Sequence, residues 1–223
     1  MRATSLALIL TVSTLAFAPI AQAHDGDDGP REGDIEKTHA LLDFDSIDVR
    51  GVYRLSVTVG EDYSVFTAGS AKEVEHMKVY VEDGVLVLDQ HQHKTKKARN
   101  RKGIWAEITL PSLLALNVKG VGTGDIEGVD SEAFAVDVSG VGELTIEGSC
   151  GQLDMSLRGV GEINAKGLEC ADADVNLKGV GAVSMFASKS VDVKAKGIGE
   201  ADVYGSPEFV KKSKGFLSGV TVH

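Results

Sequence analysis

Three glutamates, Glu143, Glu162 and Glu200, each directly follow a Gly-x-Gly triplet. A basic residue directly precedes such triplets at Lys119, Arg158, Lys178 and Lys196, with Lys214 before a looser copy at Gly215. Carboxylates clustered with Arg or Lys over a groove would suit an enzyme acting on acidic glycans. A reaction site also needs irregularity, because its groups must play different roles, whereas this set recurs at a nearly fixed interval. The simpler reading is two facing columns of opposite charge on a solvated surface, each offsetting the repulsion within the other. No catalytic residue is assigned.

Other groups could do chemistry. His91 and His93 are alternate residues and would point the same way in a strand, with His76 elsewhere. No nearby carboxylate or cysteine completes a ligand set, so they are read as solvated. His24, if it becomes an amino terminus, could chelate copper through its amine and ring, but nothing around it would preorganise the site. No metal or cofactor is assigned. Lys94, Lys96, Lys97, Arg99, Arg101 and Lys102 form a run of six positive charges without an acid, in a chain of net charge −10. This run is the best candidate for binding a polyanion such as a lipid headgroup, a lipopolysaccharide phosphate or an acidic glycan. The plainer alternative is a solvated hairpin tip.

The elements that must position these groups are legible from the glycines. The first glycine of the triplet falls at Gly120, Gly140, Gly159, Gly179 and Gly197, and more loosely at Gly215, in steps of 20, 19, 20, 18 and 18 residues. A period near 20 suits one coil of a strand-built solenoid. Six residues before each glycine stand Leu114, Phe134, Leu153, Ala173 and Val191. Four before stand Leu116, Val136, Met155, Val175 and Val193, and two before stand Val118, Val138, Leu157, Leu177 and Ala195. Polar residues fill most positions between them, so the same face of each strand is buried in every coil. Beyond the glycines, Ile126, Ile146, Ala165, Met185 and Val203 form another apolar column. Stacked coils fuse these columns into one core.

Gly-Val-Gly is then a corner where neighbouring backbones approach closely. A phosphate-binding loop is excluded, since strand residues follow where that motif needs a helix. The residues between the glycines, Val121, Val141, Val160, Val180 and Ile198, are read as core. If strand parity instead ran unbroken through the corner, they would form an exposed stripe suited to a homodimer.

Cys150 and Cys170 both lie nine residues before a repeat glycine, Gly159 and Gly179. They therefore share a column on adjacent coils, about 4.8 Å apart, within the reach of a disulfide. A disulfide between them is expected in an oxidising compartment.

Residues 1–23 have a basic start at Arg2, an apolar run from Leu6 to Phe17 and small residues at Ala21 and Ala23. They read as a secretory signal peptide. Residues 24–40 carry charges and glycines without apolar periodicity and are expected to be a mobile leader. Residues 41–111 alternate as short strands, with "SAKEVEHM" as a helical turn, and form the strand-rich start of the solenoid; 112–223 hold the regular coils. The acidic balance argues against nucleic acid.

The segments "FDSIDVRGVYRLSVTVG", "EITLPSLLALNVKGVGTGDIEG" and "GIGEADVYGSPEFVKKSKG" resemble the putative auto-transporter adhesin, head GIN domain family, over roughly 42–223. The resemblance implies a right-handed, single-stranded parallel β-helix exported to the bacterial periplasm or cell surface. Many members carry Ser or Ala between the glycines, where this chain has Val or Ile. The residues after Pro207 are too few for a membrane barrel, so self-translocation is not expected. The expectation is an all-β solenoid of 18–20 residues per coil, serving as a non-enzymatic envelope module that binds an anionic glycan, lipopolysaccharide or protein. The alternative is a carbohydrate-active β-helix lyase or hydrolase.

Overall fold

The computed structural model describes residues 29–90 and 103–223. The expected signal peptide, His24, His91, His93, Lys94, Lys96, Lys97, Arg99, Arg101 and Lys102 lie outside the described residues.

About three quarters of the described residues are in strands, and twelve strands form one sheet. The first are β1 (Ile35–His39), β2 (Ser46–Val59) and β3 (Ser64–Gly69), followed by the short helix α1 (Ala71–His76). Then come β4 (Met77–Glu82), β5 (Val85–Gln90) and β6 (Ile104–Leu110). The second half holds β7 (Ala115–Leu157), β8 (Val160–Leu177), β9 (Val180–Ala195), β10 (Ile198–Tyr204), β11 (Phe209–Lys214) and β12 (Ser218–Val222).

From β7 onward the pairing between strands is parallel, and each residue faces one 17 to 20 positions further along. This register superposes the sequence columns. Val136, Met155, Val175 and Val193 are all buried, as are Ile126, Ile146, Ala165, Met185 and Val203. A column absent from the sequence reading joins them: Leu144, Ile163, Val183 and Ala201 are buried four residues past the first glycine. At that position in the earlier rung stands Gly124, where a Cβ would strike the Leu144 side chain. One expected core residue departs from its column. Leu114 is exposed, and Leu113 turns inward instead because the chain enters the first rung there from the bend after Leu110.

The N-terminal half builds the end of this stack. β2 lies parallel to β7 on one side, and β5 and β6 share its other side, also parallel. Beyond them the pairing turns antiparallel: β4 on β5, β3 on β6, and β1 on β3. The strand β1 corrects the expectation of a structureless leader through residue 40. Four of its five side chains are exposed, so no apolar alternation marks it; backbone pairing to β3 holds it, with His39 Nε2 2.9 Å from Thr67 Oγ1.

Candidate functional site

The structure decides the position of the residues between the glycines. Alternation continues through the corner: Lys119, Val121 and Thr123 are exposed, as are Arg158, Val160 and Glu162. Val121, Val141, Val160, Val180 and Ile198 lie outside, between 46% and 51% exposed, which corrects their assignment to the core. The reason lies in the glycines. A Cβ placed on Gly140, Gly159, Gly179 or Gly197 would sit well inside 3.0 Å of the carbonyl oxygen of the first glycine on the preceding rung, and the second glycines collide likewise. The side-chain direction at both positions therefore points along the stack into backbone, where only hydrogen fits. The valine between them keeps the one free direction, outward.

Each corner is also tied to its neighbour by hydrogen bonds. Val180 N–H donates to Gly159 O at 2.8 Å and Ile198 N–H to Gly179 O at 2.9 Å. Because Ile198 is one residue before the Gly199–Ser218 pair, the stripe extends to Leu217, which is 59% exposed beside a fully exposed Phe216.

The two charged columns flank this stripe. Lys119, Arg158, Lys178 and Lys196 run along one side, and Glu143, Glu162 and Glu200 along the other. Their expected mutual compensation is not what the structure shows. Arg158 pairs with Asp137, two columns further from the stripe, and Lys119 reaches Asp48 at 3.4 Å. Lys178, Lys196, Glu143 and Glu162 make no ion pair among the described residues. Glu200 accepts a hydrogen bond from Thr221, at 3.2 Å. All three glutamates are exposed.

A separate open cleft of about 440 Å³ lies where β11 joins β9, with Asp172, Asp174, Asp192, Phe209 and Lys211 in its walls. Sequence reading missed it, because its far wall depends on the pairing of β11. Its carboxylates are engaged: Ser190 donates to Asp172 at 2.5 Å, and Asp192 accepts from Lys211 at 2.6 Å and pairs with Lys194 at 3.3 Å. The Lys211 hydrogen bond chiefly holds Asp192 below the usual carboxylate range, and the same contact raises Lys211. These contacts fasten β11 to the stack.

Cys150 and Cys170 are disulfide-bonded across adjacent rungs, with Cα atoms 4.5 Å apart and both residues buried. His76 is on α1, where Nδ1 lies 2.6 Å from Lys72 O. Among the described residues no three His, Cys, Asp or Glu side chains are placed to hold a metal ion, and no helix is long and apolar enough to cross a membrane.

Together these features define a class: an all-β domain whose accessible chemistry lies in outward columns. The chain belongs to the putative auto-transporter adhesin, head GIN domain family, whose model matches residues 43–207, from the turn before β2 to the bend after β10. Among solved structures it is similar to a putative adhesin from Bacteroides fragilis, at 25% identity over 87% of this chain and 99% of that one, with a TM-score of 0.69. It is also similar to a putative lipid binding protein from Parabacteroides distasonis, at 17% identity over 87% and 98% of the chains and a TM-score of 0.47. A putative cell adhesion protein from Clostridium sporogenes aligns at 14% identity over 85% and 98%, with a TM-score of 0.38. No curated protein matches the chain.

Proposed function

We propose that this chain is a non-enzymatic binding or structural module exported to the bacterial envelope, adhesin-like in role and built as a single-stranded parallel β-helix. The observation that carries this reading is an outward aliphatic residue on each of five rungs, flanked by a cation on four of them and by a carboxylate on three. A surface that repeats along its length suits an extended or multivalent partner, whereas a reaction site needs unlike groups converging on one bond. The name of the Bacteroides fragilis relative, a putative adhesin, agrees with this role.

The basic run from Lys94 to Lys102 belongs to the same proposal as the polyanion contact. Glycan and lipid arrays probed with the full exported chain test the reading. Retention without turnover is expected, and lyase or hydrolase turnover of an acidic glycan would overturn it. Changing Lys96, Lys97, Arg99 and Arg101 to Ser should abolish association with envelope fragments, and added salt should weaken the wild-type association steeply.

A further inference from the structure

We infer that the stripe of Val121, Val141, Val160, Val180, Ile198 and Leu217 is the seam of a homodimer in which two copies lie parallel, related by a two-fold axis running along the stripe. Six aliphatic side chains in one line, each about half exposed and one rung apart, cover about 24 Å. Singly exposed aliphatics are ordinary, but an unbroken row is the kind of patch that marks an interface.

The charges choose the occupant and its orientation. On a second copy related by a two-fold axis along the stripe, the basic column of each chain lies beside the acidic column of the other, at the same rung. Arg158, which already holds Asp137 of its own chain, meets Glu162 of the second copy, and Lys196 meets its Glu200; symmetry gives each pair twice. Lys178 faces Ala182, between these two glutamates. If the axis instead ran across the stripe, cation would face cation and carboxylate would face carboxylate, which costs affinity. The lack of ion-pair partners for Lys196 and Glu162 among the described residues leaves both available to the second copy.

Size sets the strength. From the basic to the acidic column the strip is about 13 Å wide along the strand, giving roughly 300 Å² in projection. A standard interface takes about 800 Å² per partner, so this contact is weak and concentration-dependent. The transition from monomer to dimer is expected between about 1 μM and about 100 μM, the range of weak self-association.

Sedimentation of the full exported chain across that range tests the proposal, with circular dichroism as the check on folding. Val160→Lys with Val180→Lys should leave the fold intact, since both side chains are already exposed, and should lose the dimer. Lys196→Glu should weaken dimerisation about tenfold, and adding Glu200→Lys should restore it. Val121→Cys, near one end of the stripe, should cross-link to itself on oxidation, because the parallel arrangement sets Val121 against Val121. A wild-type chain that stays monomeric at 100 μM overturns the proposal, as does a Lys196→Glu variant that dimerises more tightly. Binding to anionic vesicles that Val160→Lys abolishes in a strictly monomeric chain would assign the stripe to a lipid surface and overturn it equally.

Discussion

The first corner of the stack and the later ones share a sequence and differ in one residue. Gly51, Val52 and Tyr53 pair in register with Gly120, Val121 and Gly122, so the first rung carries Gly-Val-Tyr where the others carry Gly-Val-Gly or Gly-Ile-Gly. A second glycine is required where its missing Cβ would strike the preceding rung's backbone. Among the described residues no complete rung precedes β2 at this point: β5 ends at Gln90 and β6 begins at Ile104. Tyr53 stands where the later rungs have their second glycine, and it is 4% exposed. Its burial, followed by the nearby Asp89, pushes the phenol above its ordinary pKa. A side chain also replaces the missing backbone: Val52 N–H donates to Gln90 Oε1 at 2.9 Å, the role that Gly159 O plays for Val180. Inside the stack, then, backbone caps backbone; at its end, side chains do both jobs.

The largest test of this contrast is a single methyl group. Gly159→Ala puts a Cβ into the carbonyl of Gly140, and its three nearest neighbours are all backbone atoms, with nothing flexible to move. Loss of about 4 kcal/mol is expected, in the range reserved for steric strain in a packed interior. Gly69→Ala, in β3 of the N-terminal half, meets its nearest neighbour at 3.5 Å, an ordinary contact with a side chain. It should stay within about 1 kcal/mol of the wild type. Equilibrium denaturation of the two variants decides the matter, and equal losses would show that the stack tolerates separation at the corner.

The next effect belongs to the repeats alone. The Cys150–Cys170 bond closes a loop with a sequence separation of 20. Its entropic contribution is about 3 kcal/mol. It sits beside the place where β8 and β9 fall out of register, between Ala165 and Glu169 and again between Cys170 and Asp172, as the rung shortens. The bond therefore pins spacing where the glycine ladder gives no help. A Cys150→Ala, Cys170→Ala variant should lose about that amount in urea. A loss under about 1 kcal/mol would mean that the corners alone set the register.

Much of the repeat region was legible because its constraints are one-dimensional. A buried column returns every 18 to 20 residues, and the two cysteines share a column, so counting from glycines recovered both the alternation and the bond. The side taken by Val160 and its equivalents was not legible. Corner parity depends on where a glycine hydrogen points, which composition does not encode. The first rung could have been found: Val49-Arg50-Gly51-Val52 copies Val118-Lys119-Gly120-Val121. A spacing of 69 residues from Gly51 to Gly120, in place of 18 to 20, broke the period and hid it. β1 left no signal at all, because an edge strand held by backbone pairing needs no apolar face.

A smaller effect separates the two kinds of corner. Gln90→Ala removes the only hydrogen-bond acceptor seen for Val52 N–H among the described residues, leaving a partly buried donor without a partner. The cost is about 2 kcal/mol. Hydrogen exchange gives the sharper reading: the Val52 amide should lose protection while the Val180 amide, capped by Gly159 O, keeps it. Simultaneous loss at both would indicate that the whole stack opens as one unit, and the contrast between its end and its interior would fail.

The smallest effect is at the outermost pairing, β1 on β3. Burial first, and then the charge of Lys37, lower the pKa of His39 from its ordinary 6.5. Burial and Lys37, not the Thr67 Oγ1 contact, favour the neutral ring, since the hydroxyl oxygen can accept from either form. Below pH 6.5 the unfolded chain takes up a proton that the folded ring resists, so unfolding gains free energy. Stability is therefore highest above this value, falls as the pH drops through it, and levels off once the folded ring also titrates. His39 is only half buried, so solvent screens much of the effect. The midpoint of thermal unfolding should drop by about 1 °C between pH 7.5 and 5.5 through this residue. In His39→Gln, which keeps a polar end toward Thr67 and cannot titrate, that part of the drop should vanish. If the variant's pH profile overlays the wild type, β1 detaches before the rest of the sheet unfolds, and the edge is not part of the cooperative stack.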